Sequence, residues 1–521
     1  MKKILFFLLI IPLVLTGCTQ SWNDHYDRSD SLPTTTLLSL MDGQPELSHF
    51  RHLITIAGMD SVLTATKTFT VWAPDNDALQ NVDDEDMEEV KRLVGNHIAS
   101  GSYASSTSRS QTIVMLNGKT KHYSTASSGE PTFDGVKVVQ SDIRAQNGLL
   151  HVIEDPVPYR YNILEYIESQ ENVSDMSQFI SSFRELVYDA ERSTLYDSVF
   201  VTYNRLLEHP RYGIGDIGDE DSLFTMIIPS NKAWQKAYEQ VSPHFAVYDK
   251  NQAIADSIQH VQTCQAILKG LTFRGVRDDV VTADSMTTTT GCIIRSCETY
   301  FSGYQYIPAS NGAIYLADDS LVMDASATWL PTLIVEAEDV DSRTTVSGTT
   351  AYLRNTDATS LVSGISGDSY LEVSGSSLDG GVTFSIVNLL AGRYDVYCDF
   401  VAPEIDGPAL AAECTRVQFL LRYQATGGST RSVNVNSKTD EKLLVGGPDV
   451  HGIVSVKAFS AQEFPTSNLY DALWLSDPTH SSADRKANVT LQIKTNVTTA
   501  ELGKTLARRY RLDRIRFVPV L

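Results

Sequence analysis

Eleven histidines, 64 carboxylates and six cysteines are the side chains of this 521-residue chain that could move protons, attack a substrate or ligate a metal. Their spacing matches no catalytic motif. No HExxH, GxSxG or glycine-rich phosphate-binding pattern occurs, so metalloprotease, serine-hydrolase and nucleotide chemistry have no starting point. Neighbouring carboxylates are plentiful, but two of them make a glycosidase only when they flank a cleft at a set separation. Beyond Cys18 the cysteines are Cys264, Cys292, Cys297, Cys398 and Cys414. An odd number cannot all pair within one chain. Cys292 with Cys297 and Cys398 with Cys414 are the short-range pairings available, but buried or free thiols are the simpler expectation. No CxxC or His-rich pattern builds a zinc site. The residue types therefore point to binding, and no enzyme is expected.

Acidic residues outnumber basic ones 64 to 42, a net charge of −22. That balance argues against nucleic acid or an anionic membrane face as partner. With 42% apolar and 20% charged residues, the chain has the composition of folded protein, and its length suits two to four domains.

The N-terminus carries its own chemistry. Met1-Lys2-Lys3 precedes an apolar run from Ile4 to Leu15, too short to span a bilayer and typical of a signal peptide, here residues 1–17. It ends in Leu15-Thr16-Gly17-Cys18, which resembles the bacterial lipobox. The resemblance implies cleavage before Cys18, lipidation of its thiol, and a lipid anchor in the outer membrane. Residues 18–33 read as a lipidated tether. Its acidic stretch Ser21-Trp22-Asn23-Asp24-His25-Tyr26-Asp27 resembles the surface-export signals of gut-dwelling Gram-negative anaerobes, which implies exposure at the cell surface.

The elements that would position any site come next. Phe69-Thr-Val-Trp-Ala-Pro74 is a short apolar strand that runs into Asp75-Asn76-Asp77 and a helical start. Leu223-Phe-Thr-Met-Ile-Ile-Pro229 with Ser230-Asn231-Lys232-Ala233-Trp234 repeats it. Around the first copy, apolar residues recur at helical spacing in Leu37, Leu40, Met41, Phe50, Leu53 and Ile54. Asp83-Asp-Glu-Asp86 opens a helix by favouring its dipole, and Asn117-Gly118 predicts a hairpin turn. Thr70 to Ala78, Asn96-His97-Ile98 and Asn147-Gly-Leu-Leu-His151-Val-Ile-Glu-Asp-Pro156 resemble, in order, the motifs of fasciclin domains. That resemblance implies an α+β domain over 34–158, with a role in adhesion or extracellular binding. The motif positions of His97 and His151 imply buried rings that anchor strand and loop through hydrogen bonds. A second, divergent fasciclin-like domain is expected over 159–328. Its opening helices include Met176, Phe179, Phe183, Leu186 and Val187. Tyr315 stands where His151 stands in the first copy, and 195–221 is an insertion.

From residue 332 to 521, helical periodicity gives way to short alternating runs separated by Gly, Ser, Asn and Asp, the pattern of an all-β sandwich. Val335-Glu-Ala-Glu-Asp339, Leu390-Ala-Gly-Arg-Tyr394 and Leu512-Asp-Arg-Ile-Arg-Phe517 resemble galactose-binding-like jelly rolls of the carbohydrate-binding-module type. The resemblance makes Glu336 and Glu338 candidate calcium or sugar contacts, calcium favouring clustered oxygens. Tyr423, Phe464, Tyr470 and Trp474 are expected on loops, where a ring could stack on a sugar. The fold expected is multidomain: two α+β fasciclin-like domains followed by an all-β jelly-roll sandwich. The expected function is a non-catalytic surface lipoprotein that binds an extracellular ligand of the glycan class as an accessory of a SusC/SusD-like outer-membrane uptake complex. The alternative is an adhesive protein contacting host matrix, other cells or partner lipoproteins.

Overall fold

In a computed structural model of the chain, the described residues are 33–105, 110–125, 130–194, 197–210, 213–276, 280–378, 380–407, 413–435, 443–469 and 488–520. The leader, Cys18, the tether to residue 32, Tyr470 and Trp474 lie outside them. The chain divides into two compact units between Arg160 and Tyr161.

The first unit is built on a seven-stranded sheet ordered β2-β1-β7-β6-β5-β4-β3. Its strands are β1 (Phe69–Pro74), β2 (Ile98–Ser100), β3 (Ser110–Val114), β4 (Thr120–Thr125), β5 (Pro131–Phe133), β6 (Val136–Ala145) and β7 (Gly148–Ile153). All six residues of β1 are buried, because it lies inside the sheet with layers on both faces. Phe69, Val71 and Ala73 join the core made by helices Leu37–Asp42, Ser48–Ile56 and Met87–Gly95. Trp72 turns to the other face, where its ring stacks on Phe133 at 4.3 Å between centroids. The acidic run works as the sequence predicts: the Asp86 carboxylate accepts from the amides of Glu88 and Glu89. Gly118 takes φ +82° in the turn between β3 and β4. His97 and His151 are wholly buried. Nδ1–H of His97 donates to the Leu93 carbonyl at 2.7 Å, and its Nε2 accepts from the Val157 amide at 2.9 Å. His151 likewise joins the Tyr103 carbonyl and the Asp142 amide. Both rings tie strand to loop, as their motif positions imply.

The second unit opens with a copy of that plan. Strand β10 (Phe224–Pro229) lies parallel to β15 (Gly312–Ala317), with β11 (Thr272–Arg274) and β14 (Gln305–Ala309) on its flanks. Phe224 pairs with Gly312 as Phe69 pairs with Gly148, and Ile227 pairs with Tyr315 as Trp72 pairs with His151. Thr70 and Thr225 each donate to the carbonyl of a turn glycine, Gly101 and Gly275. Gly148 (φ +155°) and Gly312 (φ +151°) are required: a Cβ on either would stand 1.8 Å from the carbonyl oxygen of Phe69 or Phe224. Asp75 and Ser230 cap their helical starts alike, through the Ala78 and Ala233 amides. The charge changes between copies while the cap survives.

One expectation is corrected here. Leu186 and Val187 do not belong to the opening helices, which end at Ser181. They lie in β8 (Arg184–Tyr188), which pairs with β9 (Phe200–Asn204) in a two-stranded ribbon. The β-branched and aromatic residues Val187, Tyr188, Phe200, Val201 and Tyr203 favour strand, and the cross-strand contact of Tyr188 with Phe200 closes it. A small pair, β12 (Ser285–Thr287) and β13 (Ile293–Arg295), completes this part.

The remainder is an all-β sandwich of two six-stranded sheets. One holds β16 (Leu333–Glu336), β18 (Thr349–Asn355), β19 (Ser369–Gly375), β21 (Gly392–Val401), β25 (Ile453–Phe464) and β27 (Arg509–Pro519). The other holds β17 (Arg343–Thr345), β20 (Gly381–Ile386), β22 (Thr415–Gln424), β23 (Thr430–Val435), β24 (Leu444–Val445) and β26 (Val489–Thr495). Strict alternation of burial along β26 marks one face turned to the core. That core is continuous with the preceding α+β part, through Phe245, Trp329, Leu330, Leu389 and Leu390. His244 latches the two: the Ala391 amide donates to the His244 carbonyl at 2.9 Å, and the His244 ring bonds the Ala391 carbonyl at 2.9 Å. Among the described residues all five cysteines are free thiols. Burial holds the Cys264 thiol up at about 12.

Candidate functional site

Two constellations stand out on the sandwich. The first collects carboxylates at the end of β16. Strands β16 and β27 pair with Glu336 opposite Arg514, so the Glu336-Ala-Glu338 stretch arrives beside Asp513. Asp513 is wholly buried. Its Oδ1 accepts from the Ser366 amide at 2.9 Å, and Ser366 Oγ donates to Glu336 Oε1 at 2.8 Å. The second oxygens of Glu336, Glu338 and Asp513 are buried and have no hydrogen-bond partner. Burial, and then the charges of Glu336 and Asp513, raise the Glu338 carboxyl above its ordinary range. Asp513 is raised by burial too, against the bond from Ser366. Three hard oxygen donors short of a partner have the chemistry that suits calcium. Among the described residues, however, no three acidic, histidine or cysteine groups already close around one point as a metal shell. Glu336, Glu338 and Asp513 are the residues that would hold a calcium ion, although Arg514 Nε, 3.7 Å from Asp513 Oδ2, already gives that oxygen a positive neighbour.

The second constellation is a row across three strands. Tyr352 on β18 faces Glu372 on β19, which faces Arg511 on β27. Tyr352 is 53% exposed, whereas Glu372 and Arg511 are buried. Arg354 lies 5.4 Å from the Tyr352 ring centroid and donates to Glu372 Oε1 at 2.9 Å. Arg511 Nε stands 3.5 Å from the other oxygen of Glu372. The result is an open aromatic ring with a fixed row of polar groups beside it, all on strands. Further along the sheet, Asp399 accepts from Arg514, Arg516 and Ser455, which keeps its carboxyl below the usual range despite burial.

Of the site residues read from the sequence, Glu336 and Glu338 sit together. Tyr423 and Phe464 do not lie on loops: they lie in β22 and β25, with their rings 5.5 Å apart in an edge contact. Phe464 is 1% exposed, so inter-strand packing claims it. Tyr470, Trp474 and Cys18 lie outside the described residues. Asp513 was within a recognised closing motif, but its partnership with Glu336 is a product of strand pairing. Tyr352, Glu372 and Arg511 carried no local signal at all.

Fold and side chains together define a multidomain protein, an α+β portion followed by a large all-β sandwich. Residues 45–157 match the family model of the Fasciclin domain. The FAS1 domain pair of the insect cell adhesion molecule Fasciclin I is similar at 16% identity over 54% of this chain and 98% of its own, with a TM-score of 0.22. The CBM22-1 xylan-binding domain of Paenibacillus barcinonensis Xyn10C is similar at 13% identity over 36% of this chain and 95% of its own, TM-score 0.22. The C-terminal family 22 carbohydrate-binding module of Clostridium thermocellum Xyn10B is 14% identical over 38% of this chain and 99% of its own, TM-score 0.22. A search of the curated proteins gives no match. At such identities and scores, the ligand has to be argued from side chains.

Proposed function

We propose that this chain is a non-catalytic lipoprotein, anchored through Cys18 and displayed at the cell surface, that binds extracellular glycan through its β-sandwich. The observation that carries this reading is the row Tyr352, Glu372 and Arg511, with Arg354 beside it. A sugar ring offers C–H groups to an aromatic face and hydroxyls to fixed polar neighbours. Strands hold those groups in place before a ligand arrives, which reduces the ordering cost of binding. An accessory role beside a SusC/SusD-like uptake complex belongs to the same proposal. Affinity gels with plant and host polysaccharides, run on the chain from residue 19, test it. Retention on a polysaccharide that is lost in Tyr352→Ala supports it, and no retention on any polysaccharide sinks it. A porin and its lid recovered with the native protein from membranes support the uptake role.

The β8–β9 ribbon favours an adhesive second reading. Leu186 is 72% exposed, Tyr188 52% and Phe200 57%, on a ribbon whose edges pair with no other strand among the described residues. Exposed apolar groups of this kind mark protein contact sites. Cell or matrix adhesion that disappears in a Leu186→Ser, Phe200→Ser double variant but survives Tyr352→Ala would establish this reading over the first.

A further inference from the structure

A cleft of about 660 Å³ opens in the α+β part of the second unit, outside both constellations. Its volume is in the range of small-molecule sites. Helix Gln252–Leu268 and the residue after it bring Gln265 and Lys269 to the wall, and the end of β11 brings Arg274. Leu207, Ile214 and Phe224 supply apolar floor.

The polar groups there are divided unequally. The acids are already occupied: Glu208 accepts from the Asn204 amide at 2.8 Å, and Asp216 from the Gly218 amide at 3.1 Å. The cations are not. Among the described residues neither Lys269 nor Arg274 has an ion-pair or side-chain hydrogen-bond partner. Thr289 Oγ1 is buried without a partner, and Gln265 lines the cleft with an amide that makes no hydrogen bond among the described residues. A buried hydroxyl left unmatched on a cleft wall argues for a ligand that matches it.

We propose that this cleft binds an acidic sugar: the uronate carboxylate meets Lys269 and Arg274, and its hydroxyls meet Gln265 and Thr289. The assignment is independent of the row on the sandwich. Calorimetric titration of the chain from residue 19 with digalacturonate, and with the neutral disaccharide lactose as control, tests it. Digalacturonate should bind with a Kd below about 1 mM, and lactose at least about tenfold more weakly. Lys269→Gln and Arg274→Gln should each weaken digalacturonate about tenfold or more, with melting temperature unchanged. Equal binding of both sugars, wild-type affinity in both variants, or no saturable binding of digalacturonate overturns the proposal.

Discussion

Asn76 and Asn231 make the same three hydrogen bonds in different parts of the chain. Asn76 Oδ1 accepts from the His49 amide at 2.9 Å while Nδ2 donates to the Pro45 carbonyl and Ser48 Oγ. Asn231 Oδ1 accepts from the Asp175 amide at 3.0 Å while Nδ2 donates to the Glu171 carbonyl and Ser174 Oγ. In each copy one amide ties the first residue of a 3₁₀ turn to the start of the helix after it. Only a side chain with a donor and an acceptor at that reach can do this. Asn76→Ala should therefore destabilise the first unit, and Asn231→Ala the second, each by about 2 kcal/mol. Urea denaturation followed by tryptophan fluorescence checks it, and losses under about 0.5 kcal/mol would refute the shared role.

The repeated glycines are stricter. A methyl group at Gly148 or Gly312 collides with a carbonyl oxygen of the paired strand, at a positive φ that also strains any L residue. The backbone there cannot yield without parting β1 from β7, or β10 from β15. Either Gly→Ala variant should lose more than about 3 kcal/mol or fail to accumulate folded, as read by circular dichroism and expression yield.

His97 makes the first unit sensitive to acid. Burial lowers its pKa from 6.5 to about 4. Its ring accepts one bond and donates the other, so only the neutral form fits. A base with a depressed folded-state pKa binds fewer protons folded than unfolded. Its contribution is present above pH 6.5 and is lost as pH falls towards 4, in total about 3 kcal/mol. The stability of wild type minus that of His97→Gln should shrink across that window, and a flat difference would show that the ring is not held neutral.

Calcium should act on the sandwich. Glu336, Glu338 and Asp513 each keep a buried oxygen without a hydrogen bond, and a hard cation would ligate those oxygens. Millimolar calcium should raise the melting temperature of the wild-type chain by a few degrees, chelator should reverse it, and Asp513→Asn should abolish the response. Magnesium, which demands a tighter octahedral shell, should do less. An identical melt with and without calcium removes the metal reading.

The local rules of this protein were legible in the residue order. The acidic helix start at Asp86 and the Asn117-Gly118 hairpin depend on neighbours a few residues apart, whereas the strand-proline-Asn turns and the buried histidines are legible as motifs whose bonds reach much further along the chain, from Val157 to His97 for example. The change to an all-β pattern after residue 332 is legible as well. Where the reading failed, a short-range signal was ambiguous. Phe183, Leu186 and Val187 continue a helical spacing, yet Leu186 and Val187 pair with β9, because β-branched and aromatic residues across the ribbon outweigh that spacing.

What the sequence by itself determined is the order of the parts and the turns that fold each one. Only the tertiary structure decided the sites. Glu372 meets Arg511, and Glu336 comes beside Asp513, through strand registers between segments far apart in the chain. Gln265, Lys269, Arg274 and Thr289 likewise share a wall only after a helix, a strand and a loop have packed. Periodicity tells which face of a strand is buried. It does not tell which strand lies beside it, and that neighbour sets which charged groups are matched and which are left for a ligand.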